Sequence, residues 1–141
     1  MQFEDTATYV NLARSFAGES QAGMRYQLAA RMATQQGYMT LADTIRSIAK
    51  NETVHARRFF EELNKRGKQP DNIELNAGYP FHGGSLEECL HFAALDEREE
   101  FDRIYPAFAE EAAAEGFADI AALFRLCLLY TSDAADDLTR V

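Results

Sequence analysis

Two short motifs hold the residues best suited to chemistry, Glu52-x-x-His55 and Glu97-x-x-Glu100. On a helix, side chains three apart share a face about one turn along, so each pair could offer two ligands to one ion. Glu19 adds a fifth candidate. It lies eighteen residues before Gly37, and Glu52 lies fifteen after it. If Gly37 closes an antiparallel hairpin, the two carboxylates stand at nearly the same depth. Glu97 and Glu100 precede Gly116 by nineteen and sixteen residues, a comparable depth in a second hairpin. Four carboxylates and one imidazole at one level of a bundle suit iron or manganese. Helical bundles hold two such ions with a glutamate from each of two helices and Glu-x-x-His from the other two. Without metal, so many interior carboxylates would be protonated or expelled to water.

The plain alternatives differ residue by residue. A single Glu on a helix is ordinarily a solvated surface group, and Glu52 with His55 alone is a weak motif. The match in depth across two hairpins is what points to a shared site. Glu88-x-x-His91 also exists, but Glu88 lies nine residues before Glu97, about 180° around a helix at roughly 100° per residue. It is expected on the flank. His82 sits in a loop with no suitably spaced carboxylate and is expected to be solvated.

The elements that must position these groups are helical. Apolar residues recur every three or four positions from 6 to 35, through Val10, Ala13, Phe16, Ala17, Met24, Leu28 and Met32, which predicts a long amphipathic helix ended by Gly37. A second helix starts at Tyr38 and carries Leu41, Ile45, Ile48, Phe59 and Leu63 as far as Gly67. Residues 68–84 contain Pro70, Asn72, Asn76, Gly78, Pro80, Gly83 and Gly84, a loop long enough to cross over along the bundle. Ser85 with Glu88 forms a capping box that opens a third helix running to about 115. Pro106 should bend that helix. A fourth begins at Phe117. The two glycine-initiated segments align at Leu41/Ile120, Ala42/Ala121, Ile45/Phe124 and Arg46/Arg125, so two hairpins of one kind are expected.

Composition agrees with one all-α domain. The chain has 141 residues, 47% of them hydrophobic, enough for one core and too few for two. Its formal charge of −9 argues against a nucleic-acid partner, which needs a concentrated basic face. Part of that charge could be neutralised internally by metal. Cys89 and Cys127 form no CxxC pair, so neither a disulfide framework nor a cysteine-ligated metal is encoded, and a reducing cytoplasm is expected. No leader pattern or long apolar run predicts export or a membrane partner.

Three segments resemble the rubrerythrins: FAGESQAGMRY at 16–26, NETVHARRFFEEL at 51–63 and EREEFDRIYPAFAEEAAAEGF at 97–117. The likeness runs from about Asn11 to Leu126. It implies an all-α, ferritin-like antiparallel four-helix bundle with a long crossover loop between its second and third helices. It implies two non-haem irons, or manganese, on Glu19, Glu52, His55, Glu97 and Glu100, with Tyr26 and Tyr105 beside them. The family is similar in reducing hydrogen peroxide to water with electrons from a rubredoxin-type donor. By that likeness His55 and Glu100 are ligands that alternate on one iron as its oxidation state changes. A homodimer is expected.

The sequence departs from this pattern in its last helix. A second Glu-x-x-His, transferred from Gly37 to Gly116, falls on Thr131 and Ala134, and neither residue type replaces the missing ligand. Asp133, the nearest carboxylate, points to another side of the helix. The stretch CLLYTSDAADD at 127–137 resembles the translation of a transposon-end sequencing adapter. The expectation is therefore a bundle domain over 1–126, incomplete at its fourth helix, and a non-native tail over 127–141 that frays beyond Ser132. A chain so altered should bind iron weakly and turn over little peroxide. A second functional class, iron storage by a ferritin-like bundle, uses the same ligands, and a third is a metal-free helical binding module.

Overall fold

The computed structural model describes residues 2–67 and 72–139, with side chains as far as Leu128. A 3-10 turn at Phe3–Asp5 leads into α1 (Ala7–Gln35), followed by α2 (Met39–Arg66), α3 (Leu86–Glu99), a π-helical turn (Glu100–Ile104), α4 (Tyr105–Ala114) and α5 (Ala118–Thr139). Because α3, the π turn and α4 are continuous, the architecture is an all-α antiparallel four-helix bundle, as expected. None of the helices, among the described residues, is long and apolar enough to cross a membrane.

The internal repeat is visible in the backbone. Gly37 and Gly116 adopt φ of 86° and 90°, a left-handed conformation that a side chain would strain. At both corners the next amide reaches back five residues, Tyr38 N–H to the Ala33 carbonyl and Phe117 N–H to the Ala112 carbonyl. These are the same glycine-terminated caps. The aligned Ala42 and Ala121, and Ile45 and Phe124, are fully buried. Ser85 and Glu88 cap α3 reciprocally, as the sequence indicates.

Two expectations need correction and a third needs refinement. Met24 and Leu28 do not face the core, being 55% exposed each. The buried stripe of α1 runs instead through Leu12, Ser15, Glu19, Ala22, Tyr26, Ala30 and Ala33, a helical period hidden because polar residues occupy two of its places. The interruption at Pro106 takes a form the sequence does not show: the proline occupies the first turn of α4, behind the π turn in which Tyr105 N–H bonds the Glu100 carbonyl five residues back. Proline cannot donate and crowds the carbonyl four residues behind it, which the wider turn accommodates. Finally, α5 does not fray after Ser132 but stays helical to Thr139. Ala134, Ala135 and Leu138 favour helix, and no Gly or Pro interrupts them.

Among the described residues, two apolar clusters fill the bundle. One joins α1, α2 and α3 and is built mainly from alanine with Tyr26, Ile45, Ile48 and Leu90. The other joins the opposite ends of α1 and α2 to α4 and α5 and is aromatic, with Tyr9, Phe59, Tyr105 and Phe124. The acidic level lies between them.

Candidate metal centre

Glu19, Glu52, His55 and Glu97 are all buried. Glu19 comes from the core face of α1, Glu52 and His55 from one face of α2, and Glu97 from the last turn of α3. Glu100 opens the π turn and keeps its Oε2 fully buried. Ligand atoms of Glu19, Glu52 and His55 all lie within 4.8 Å of one another, and His55 Nδ1 is 3.4 Å from Glu19 Oε2. Glu97 and Glu100 adjoin that group: Glu97 bonds with Glu52, and the charges of both help raise the Glu52 pKa.

Each tyrosine fixes one carboxylate. Tyr26 donates to Glu97 Oε1 at 2.5 Å, and Tyr105 donates to Glu19 Oε1. At about 100° per residue an uninterrupted α-helix would set Tyr105 roughly 140° from Glu100. The π turn takes in one more residue and brings Tyr105 back toward the acidic face. Burial raises both hydroxyl pKa values well above the usual range, helped by Glu97 at Tyr26 and Glu19 at Tyr105. Both tyrosines therefore remain protonated donors.

The carboxylates show what this arrangement costs without a cation. Burial, reinforced by the charge of Glu19, pushes Glu52 well above the ordinary range. Burial and the charge of Glu97 do the same to Glu100. Glu97 rises to about 7 through burial, against the opposing bond from Tyr26. Burial also lifts Glu19, but bonds with Glu52, His55 and Tyr105 outweigh it and leave its pKa lowered. Oε2 of Glu52, Glu97 and Glu100 is buried with no hydrogen-bond partner among the described residues. Orphaned carboxylate oxygens are expensive in an interior, and a bound cation would satisfy them. An oxygen-rich set with one imidazole fits iron or manganese.

The other candidates fall where expected. Glu88 and His91 are exposed, and His82 is an exposed ring stacked on Phe92 at 4.1 Å. Thr131 and Ala134 lie outside the residues whose side chains are described. Sequence reasoning did not single out Cys127 as a neighbour of the site. It is buried in the aromatic cluster, and burial together with the charge of Glu19 raises its thiol to about 12.

The family model for Rubrerythrin matches residues 10–128. Rubrerythrin-1 of Clostridium acetobutylicum is 42% identical over 122 residues, which are 86% of this chain and 62% of that protein. Rubrerythrin of Porphyromonas gingivalis is 43% identical over 119 residues, 84% of this chain and 57% of that protein. The chain thus spans less than two thirds of the length of these curated relatives. The fully reduced, all-ferrous state of nigerythrin shares the fold with a TM-score of 0.82 at 25% identity, over 99% of this chain and 70% of that one. A bundle with its acidic level between two apolar cores, matched to one family model over most of its length, places this chain in the rubrerythrin family.

Proposed function

We propose that the chain is of a non-haem diiron oxidoreductase type that reduces hydrogen peroxide as a cytoplasmic homodimer with a rubredoxin-type electron donor, its activity impaired here by the missing Glu-x-x-His of the fourth helix. The observation that carries this reading is the buried set of unpartnered carboxylate oxygens on Glu52, Glu97 and Glu100 beside Glu19 and His55. In this reading Glu19, Glu52 and His55 would hold one ion, with Glu100 as the ligand that alternates with His55, and Glu97 would contribute to the second. Reducing one peroxide to two waters consumes two electrons and two protons. Bound ferrous ions would supply the electrons and Lewis acidity toward oxygen.

The chain's own residues do the positioning. Tyr26 and Tyr105 keep their protons and orient Glu97 and Glu19 through fixed bonds. The apolar clusters on either side keep bulk water from the acidic level. These 141 residues contain no CxxC pair, and the donor in this reading is a rubredoxin-type centre outside them.

We read residues 127–141 as a foreign tail, so that the fourth helix lacks the acid and imidazole that would complete the second ion's ligands. Thr131→Glu with Ala134→His should restore them. Loaded anaerobically with ferrous iron, this variant should consume about one peroxide for every two ferrous ions oxidised, as a two-electron reduction requires. Slow oxidation with growth of a polynuclear iron deposit would contradict the proposal and indicate storage.

A further inference from the structure

The acidic level is approached by a roofed cavity of about 270 Å³ between α1, the crossover loop and the π turn. Its inner wall includes Ser15, Glu100 and Tyr105, and its roof is residues 77–80. The roof is tied down at three points. Tyr79 O–H donates to the Arg14 carbonyl at 3.0 Å, Gln21 Nε2 donates to the Pro80 carbonyl at 2.5 Å, and Arg14 Nη2 donates to the Asn76 carbonyl at 3.2 Å. Gly18 leaves room beneath the roof, since a Cβ there would meet the Tyr79 ring at 3.4 Å.

Two observations mark this space as more than a packing gap. Ser15 is 4% exposed, lines the cavity and has an Oγ with no hydrogen-bond partner among the described residues. Glu100 Oε2 on the same wall is likewise unpartnered. Buried polar atoms are normally satisfied by protein or by a small polar molecule. Arg14 and Arg25 among the lining residues are offset by Asp96, Glu99 and Glu100, so the walls do not favour an anion. A neutral solute loses no charge hydration on entering. At about 30 Å³ for a water molecule, the space admits a two-oxygen molecule with room to turn. A second depression reaches Glu19 from the α1–α2 side past Phe16, Met24 and Phe60. It touches neither Ser15 nor Glu100, and none of its described lining residues comes from the crossover loop.

We propose that the cavity under residues 77–80 is the passage by which hydrogen peroxide reaches the Glu100 side of the acidic level, with Tyr79, Gln21 and Arg14 latching its roof. This rests on the peroxide-reducing reading, but the passage can be tested without metal. In the metal-free Ser15→Cys chain, the thiol at position 15 should react with the small neutral reagent methyl methanethiosulfonate. Adding Tyr79→Ala, which loosens the roof, should raise that rate about tenfold or more, as local opening does for latched segments. Adding Gly18→Leu, which fills the space, should lower it by a similar factor. Peptide mass mapping separates this thiol from Cys89, whose rate should not change. A position-15 rate insensitive to both substitutions would overturn the proposal.

The iron-loaded protein separates the two claims. In the Thr131→Glu, Ala134→His background, Gly18→Leu should slow oxidation by peroxide with unchanged iron stoichiometry. An undiminished rate would place the passage elsewhere and leave the functional reading intact. No reaction with peroxide in either protein, with the labelling pattern as expected, would remove the functional reading and leave the passage standing.

Discussion

The two hairpins share the same glycine corner yet differ at the level where chemistry would occur. In the first, α1 and α2 gather three ligand atoms within 4.8 Å. In the second, Glu97 and Glu100 come from a helix that changes from α to π between them, and the helix that packs beside it has Thr131 and Ala134 at the corresponding positions. A repeated backbone therefore specifies depth and direction, while the identity of a few side chains decides whether each half can hold an ion.

The largest expected effect breaks the first half. Glu52→Gln should weaken ferrous or manganous binding by about 100-fold or more, since it removes a ligand rather than one of its supports. The metal-free variant should unfold at a higher temperature than its parent near neutral pH, because the parent must keep Glu52 protonated in the interior while the unfolded chain ionises it. Isothermal titration and thermal melts on one preparation check both outcomes.

A second prediction concerns acid. The pKa values of Glu52, Glu97 and Glu100 are raised in the folded chain. For an acid whose folded pKa is raised, stability is fully present below the unfolded value near 4.5 and is lost as pH rises through the folded value, about 7 for Glu97. The metal-free melting temperature should therefore fall between pH 4.5 and 7.5, by something on the order of 5–10 °C. Saturating manganese should remove most of that fall. A melting temperature that climbs over this range would show that the carboxylates are not held in the interior.

The tyrosines sharpen the comparison at smaller scale. Tyr26→Phe removes the bond to Glu97, and Tyr105→Phe removes the bond to Glu19. Each should cost ~1–3 kcal/mol in denaturant melts, the range for stripping a buried acceptor of its donor. Tyr26→Phe should also raise the Glu97 pKa, because the Tyr26 bond opposes the effect of burial. Carbonyl-stretch infrared titration of the metal-free chain reads that shift. The smallest effect belongs to Glu97→Gln in the chain as it stands. Metal affinity should change less than about tenfold, because the half-site it serves already lacks ligands.

What the sequence disclosed, and what it hid, follows from how each feature is encoded. Glu19, Glu52 and His55 could be placed because a hairpin corner converts residue counts into depth, and Gly37 marks that corner clearly. The buried stripe of α1 was obscured because Ser15 and Glu19 lie on it, and hydropathy alone favours Met24 and Leu28. The π turn left no trace beyond Pro106, since a bond to the fifth residue back alters no residue type. Long-range partners were also hidden. Glu115 accepts from Thr8 N–H at 2.8 Å and Ala7 N–H at 2.9 Å. It thereby satisfies free amides at the start of α1, and no local pattern announces such a contact. The latch formed by Tyr79 and Arg14 is of the same kind.

The most direct test is an anaerobic ferrous titration of the chain as it stands beside its Thr131→Glu, Ala134→His variant, followed by equilibrium dialysis and iron analysis. The variant should hold two irons tightly per chain, and its parent should bind iron more weakly and substoichiometrically. Equal binding of two irons by both would show that the second half needs no ligand from α5, and absence of iron from both would show that the acidic level is not a metal site.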